Sequence, residues 1–471
     1  MAKIFSISDF KEGLDLRKSA LTAPGGSLRI LDNAVLTQGG EIAKRQAFVP
    51  MVTLPPEASY IFGQGSTLHV FGVNLTAGGV GGLIVPVVWH NLSYPAGATG
   101  AVAVHDVEAF DDGFYVTGRD TVGQSFIWWN GVVVLEVGGG QSRGTYARTY
   151  KTKMYRADGR YLRFSGVNAP PVNDPASVTN PGAGFINAAI HDPDGENLVA
   201  MEIFYDKVAV LARLMTQLWI LDPDPTKNAL QQVIRIGTMA EHSVAQFGTG
   251  DILFLSDSGV RSLKSQTVTT TAAVSDVGSS IDPIMTMLIR TNPTDCLNAQ
   301  AVVQPIAGRY WISVADQIFV LSYFPAGKIT AWSRFLPGFV VEEFAVVVNQ
   351  IYCRDPNNNV WLYGGNDGVT FDSSAVTVRT PHHSMDTPTQ RKRIQSVDIM
   401  CQGQWVLKMG MLPNNVDAFE TVATVQDNTY GLQTIPFAGY GTHVGLELTH
   451  AAPGPALLAS VHLRLDEGST K

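Results

Sequence analysis

Cysteine is scarce in this 471-residue chain. Cys296, Cys353 and Cys401 are odd in number and far apart, and none forms a CxxC pair. That excludes a disulfide framework and gives no spacing for thiolate zinc or redox chemistry. Long apolar runs are missing as well: the longest, Gly82 to Trp89, is far too short to cross a bilayer, and MAKIFSISDFKEG has no secretory apolar core. The reading predicts a chain with no membrane anchor, folded in a reducing cytoplasm, where the sequons at Asn74 and Asn91 carry no meaning. There is no basic surplus either, with 33 Lys and Arg against 41 Asp and Glu. A protein built to grip phosphates shows the opposite balance. The acidity concentrates in residues 51–370. Sustained helical spacing is rare, and despite Gly138-Gly139-Gly140 and the glycines of 78–82 there is no Walker A motif and no phased GxGxxG.

What is present is punctuation. Gly 46 and Pro 25 divide short β-rich runs. Phe126–Trp129 and Val132–Leu135 flank Asn130-Gly131, a dipeptide suited to a two-residue type I′ turn. The same pattern places hairpins at Lys153–Arg156 with Tyr161–Phe164, at Tyr310–Val314 with Ile318–Leu321, and at Ile351–Cys353 with Val360–Tyr363. GDILFLSDSGVRSLK, Gly250 to Lys264, is another. Such hairpins recur from Ser59 to Gly365 without intervening helices, so a parallel βαβ fold is disfavoured. Radial repetition hides the edges of many antiparallel sheets, which predicts an all-β chain with an irregular β-propeller of six or seven blades. Three units are expected: an N-terminal arm or docking segment at 1–50, the propeller at 51–370, and a C-terminal β-sandwich-like docking domain at 371–471. One helix is expected after Ser279-Ser280-Ile281-Asp282-Pro283, with Ile284, Met287 and Leu288 on one face, and a helical turn from Ser27 to Asn33.

Motifs for chemistry are weak. Gly140-Gln141-Ser142-Arg143-Gly144 matches a nucleophile elbow, but the strand-like Thr145–Tyr150 follows where a helix is required. Asp257-Ser258-Gly259 lacks a base at any suggestive spacing. Asp192-Pro193-Asp194-Gly195-Glu196 and Asp222-Pro223-Asp224-Pro225 read as surface turns, with oxygen ligation of Ca²⁺ as the alternative. His382-His383 reads as part of a solvated linker. Trp128-Trp129, Trp219, Trp311, Trp332 and Trp361 read as blade core rather than sugar platforms. No catalytic residue, cofactor or metal site is assigned. Arg391, Lys392 and Arg393, the densest basic cluster, are expected at a domain or subunit interface, and Lys44 and Arg45 are placed in the same class.

FKEGLDLRKSALTAPGGSLRILDNAVLTQGGEIAKRQAFVP, residues 10–50, carries a resemblance in Gly13-Leu14-Asp15, Pro24, Ser27-Leu28, Leu31, Asn33, Gly39-Gly40-Glu41, Lys44-Arg45 and Phe48. Ile236–Thr238 through Gln246–Leu263, Ala331–Arg334 and Gly454–Ser460 add to it. These patches resemble the tail nozzle, or tail tubular, proteins of short-tailed, podovirus-like bacteriophages. The resemblance implies a non-enzymatic β-propeller protein of the virion tail, assembled in the host bacterial cytoplasm. It implies a ring homo-oligomer, a homohexamer, below the head-to-tail adaptor and surrounding the DNA ejection channel. The implied partners are further copies of the chain, adaptor and portal-side proteins, tail fibre or tailspike proteins, and passing double-stranded DNA without tight binding. Two alternatives stay open: a receptor-binding tail protein with a propeller carbohydrate site, and a propeller glycosidase.

Overall fold

The computed structural model describes residues 3–92, 103–110, 113–119, 125–129, 132–135, 146–167, 182–192, 194–248, 250–268, 276–304, 306–385, 388–429 and 433–467. Among the described residues six small sheets, and in sixth place four strands of a larger sheet, make seven blades along the chain. Their first strands are Ala58–Gln64, Ala103–Phe110, Tyr146–Tyr150, Leu198–Phe204, Ala245–Gln246, Gln300–Gln304 and Glu343–Val347. Each of these packs beside the next, and the seventh packs beside the first, so the sheets close into a ring around a common axis. This is a β-propeller, and the described residues make seven blades. Blades 2, 3, 4, 6 and 7 have four strands. Blades 1 and 5 have three, and in blade 1 the outer strand, Val87–Asn91, runs parallel to its neighbour Thr67–Gly72.

The ring closes through the N-terminal region. Phe48–Thr53 is the outermost strand of blade 7, pairing Phe48 with Tyr363 and Thr53 with Asn359. A bulge beside Pro50 absorbs the residue that cannot donate to the ladder. Between blades 6 and 7 the packing is aromatic: Trp311 meets Tyr363 and Phe48 edge to face at ring distances of 4.7 and 6.3 Å, and Phe335 of its own blade at 5.3 Å. Truncating such a fully buried tryptophan costs about 3–5 kcal/mol.

The expected hairpins are present, with tighter turns than the flanking runs suggested. Asp158 pairs with Tyr161 across Gly159-Arg160, and Ser256 pairs with Gly259 across Asp257-Ser258. Trp129 pairs with Val132, while Asn130-Gly131 lies outside the described residues. At Gly259 φ is +120°, and a Cβ there would sit 2.2 Å from Oδ1 of Asp282. Arg261 holds that carboxylate at 2.8 and 3.0 Å. Asp257 in turn pairs with Arg213 of blade 4, so the turn staples two blades.

Residues 3–47 and 375–467 are interwoven. A 19-residue strand, Lys392–Gly410, forms the spine of the C-terminal module, flanked on one side by Glu420–Asn428 and Thr434–Gly441 and on the other by Gly445–His450 and Leu457–Glu467. Lys3–Ile7 adds to the strand Leu457–Glu467. Ile30–Asp32 lies between Arg334 of blade 6 and the strand Val376–Arg379, joining propeller and C-terminal strands in one continuous sheet. One hydrophobic core runs through all three, including Phe10, Leu28, Leu31, Tyr310, Trp332, Val378, Trp405 and Leu463.

Two local expectations are corrected. Ser27–Asn33 is not helical: Ser27–Leu28 pairs with Gly13–Leu14, and Ile30–Asp32 pairs with Arg379, Val378 and Thr377, which claims their backbone groups. The helix Asp282–Thr291 exists, but it buries Met285 and Leu288 behind the fully buried Ile281, while Met287 is 53% exposed. Ile281 sets the phase at the helix N-terminus, and positions four and seven residues later inherit the buried face.

Candidate functional site along the propeller axis

The inner strands carry charges where a strand in an apolar core would not. Asp106 and Glu108 come from blade 2, Tyr146 and Arg148 from blade 3, Glu202 from blade 4 and Glu343 from blade 7. Arg148 is the hub. Its guanidinium reaches Asp106 at 3.1 Å, Glu202 at 3.2 Å and Glu108 at 3.6 Å, donates to the Tyr146 hydroxyl, and lies 4.1 Å from the centre of the Tyr146 ring. The carboxylates are also used by the backbone: Asp106 accepts the N–H of Ala147 at 2.8 Å, and Glu108 accepts that of Thr149 at 2.9 Å. Blades 2, 3 and 4 are thereby tied together at the axis.

Burial would lower the Arg148 pKa, yet Tyr146 and the carboxylates drive it well above its ordinary value, so the guanidinium stays charged. Glu108 is pushed up to about 7 by burial, against the opposing pull of Arg148 and the Thr149 N–H. Burial also raises the Tyr60 and Tyr146 phenols far above their usual range. His242, from the short 3-10 helix Glu241–Ser243, lies 3.2 Å from Glu241; burial would lower its pKa, but Glu241 holds it above the free imidazole value.

A second knot joins blades 7 and 1. Arg354 grips Glu343 with two hydrogen bonds of 3.0 and 2.9 Å, contacts Glu342 at 2.9 Å, and donates to the Ser59 carbonyl at 3.1 Å. Glu343 accepts the Ile61 N–H at 2.9 Å. Beside this knot opens a cavity of about 450 Å³, lined by Ser59, Val104, Asp295, Asn298, Gln300, Ser313, Glu342, Glu343 and Arg354 among others. Among the described residues this lining is acidic, and Arg148 and Arg354 are both already paired.

None of these residues was singled out by sequence. The signal lies in HDVE (105–108), YAR (146–148), MEI (201–203) and EEF (342–344), charges inside otherwise strand-like runs. Along a strand Asp106 and Glu108 fall on one face, as do Tyr146 and Arg148.

The basic residues expected at an interface take different places. Lys44 is buried, donating to the carbonyls of Asp372 and Ala452 at 2.6 and 2.8 Å. Arg45 is buried too; it binds Asn33 at 2.9 Å and Asp372 at 3.1 Å, with its guanidinium 5.1 Å from the Phe48 ring centre. Both tie the N-terminal region to residues of the C-terminal part of the same chain. Lys392 is buried and donates to the Ser384 carbonyl at 2.7 Å, whereas Arg391 and Arg393 are exposed, Arg393 standing 5.8 Å from the Tyr440 ring.

His382 and His383 are not solvated. Both rings are buried, His382 5.7 Å from Phe419 and His383 5.6 Å from Phe5. The backbone explains it: the His382 N–H is taken by Ala20, and His383 exchanges two hydrogen bonds with Val444. Those partners are distant in sequence. The acidic loops serve their own turns, Asp192 accepting from the N–H groups of Asp194 and Glu196, and Asp224 capping the short helix Pro225–Lys227. Gly140–Gly144 lies outside the described residues; Tyr146–Tyr150 after it is a strand.

No family model matches the chain, and no curated protein does. Among solved structures the chain is similar to BamB from Moraxella catarrhalis, at 9% identity and a TM-score of 0.36, over 68% of this chain and 97% of that one. That likeness carries no argument about function. The propeller assignment stands on the closed ring of seven inner strands.

Proposed function

We propose that this protein is a structural component of a short-tailed bacteriophage virion, the tail nozzle. It assembles as a ring homo-oligomer below the head-to-tail adaptor, with DNA leaving through the channel that the ring encloses. The supporting observation is where the residues of the resemblance lie. Gly13 packs its Cα against blade 6, Leu28 and Leu31 fill the shared core, and Asn33 bonds Arg45, Leu336 and Ala375. Arg334 holds Asp32, and Phe48 starts the closing strand. The shared pattern is therefore spent on fusing a propeller to its flanking sheet, which is what a load-carrying tail component requires and a hydrolase does not. Excess acidity suits a DNA conduit, because every phosphate pair formed would have to break during ejection.

Electron microscopy of virions assembled without this chain tests the proposal. Tails lacking their distal ring are expected; complete tails of normal shape would overturn it. Mass measurement of the purified protein, alone and with the adaptor, tests the ring itself. A hexamer is expected, and a monomer under both conditions would remove the ring from the proposal.

A further inference from the structure

The cavity beside Arg354 has a one-sided chemistry. Three carboxylates, Asp295, Glu342 and Glu343, line it against one guanidinium, and Arg354 is fully engaged by Glu343, Glu342, Asn358 and the Ser59 carbonyl. The Gln300 amide is turned to the Asn298 carbonyl at 3.5 Å, so the lining's other donors are the Asn298 amide and the Ser313 hydroxyl. Acceptors dominate.

A carboxylate cluster alone would say little, since solvated acidic surfaces are common. Ser313 adds a separate observation. Its side chain is 3% exposed, it lines this cavity, and among the described residues no group hydrogen-bonds its hydroxyl. The hydroxyl opens to the cavity instead of being sealed against protein, and a bound donor would give it a partner. Val104, Ala315, Val340, Val341 and Pro356 supply an apolar wall beside the acceptors, which suits a ligand with a charged head and an aliphatic stem.

We propose that this cavity binds an organic cation, an alkylammonium or guanidinium group on an aliphatic chain. Glu342 and Asp295 neutralise its charge, Ser313 accepts one of its N–H groups, and the valines and Pro356 cover its methylenes. Anions are repelled by the same carboxylates. The inference does not rest on the tail assignment, since it uses only the propeller and this mouth of its axis. Two sources share the chemistry: a free oligoamine, and a lysine or arginine side chain presented by a partner.

Calorimetric titration of the full chain with 1,4-diaminobutane, with Nα-acetyl-lysinamide and with glucose as a neutral comparator tests it. Saturable one-site binding of at least one amine is expected, weakened ten-fold or more by Glu342→Gln and by Ser313→Val. Glu342 is solvent-facing and Ser313 has no bond to lose, so both variants retain the fold, which circular dichroism checks. Binding of diaminobutane alone identifies a free amine as the source; binding of lysinamide alone identifies a basic side chain. Absence of saturable binding by either amine overturns the proposal, as do unchanged affinities in both variants or glucose binding as tight as the amine.

Discussion

The guanidinium of Arg334 grips the carboxylate of Asp32 through two parallel hydrogen bonds of 2.8 and 2.9 Å, joining blade 6 to the N-terminal strand that carries the C-terminal sheet. The side chains are 24% and 13% exposed, so the pair is largely shielded from water. Removing one partner leaves the other charge half-buried and unpaired. Arg334→Ala or Asp32→Ala is expected to destabilise the chain by about 2–3 kcal/mol in urea denaturation. The double variant should lose less than the sum of the two; strict additivity would show that the pair contributes nothing.

Gly13 is expected to tolerate no side chain. Its φ is +57°, and a Cβ would lie 2.7 Å from Cβ of Ala331 and 2.8 Å from the Trp332 carbonyl oxygen. Strain and overlap add, so Gly13→Ala should cost roughly 2–4 kcal/mol, read as a lowered denaturation midpoint. A midpoint within error of the parent would mean that the N-terminal segment does not seat against blade 6.

Glu108 should make the propeller axis sensitive to alkali. Its pKa rises to about 7 in the folded chain, so between the ordinary carboxyl value and 7 the folded state holds a proton that the unfolded state has lost. Stability from this group is full at acid pH and falls as pH rises through 7. Glu108→Gln removes that loss. The difference between variant and parent should grow by roughly 2–3 kcal/mol from pH 4.5 to pH 8. A flat difference across the range contradicts it.

His383 works in the opposite direction. Burial, with a smaller contribution from His382, lowers its pKa to about 4, so the folded chain keeps it neutral while the unfolded chain protonates near the free value. Stability is present above about 6.5 and drains as pH falls to 4. His383→Phe keeps a ring against Phe5 and should flatten this acid limb. An unchanged acid limb would place the titration elsewhere, His382 being the next buried ring.

The blade hairpins are legible in the sequence because a hairpin is local: alternating runs meet a Gly or Asn turn, and register follows from turn length, as at Ser256–Gly259. The axial knots are not, since Arg148 meets Asp106 and Glu202 across 42 and 54 residues, and charges inside strand-like runs do not by themselves say which of them meet. Lys44 and Arg45 read as interface residues without a named partner, because their carbonyl and carboxylate partners lie some 300 to 400 residues on, at Asp372 and Ala452. His382-His383 misleads for the same reason. Adjacent polar residues look solvated until Ala20, Phe5 and Val444 arrive from elsewhere.

The strand Phe48–Thr53 has a consequence in time. Its partner Asn359–Tyr363 leaves the ribosome on the order of 300 residues after it, roughly 15 to 60 s at synthesis rates of about 5–20 residues per second. Through that interval the strand has no blade to join, and six blades stand in an open arc. The last loop to close is the longest in the propeller, so ring closure should set the pace of folding. A nascent chain stalled before residue 359 is the species most in need of a chaperone.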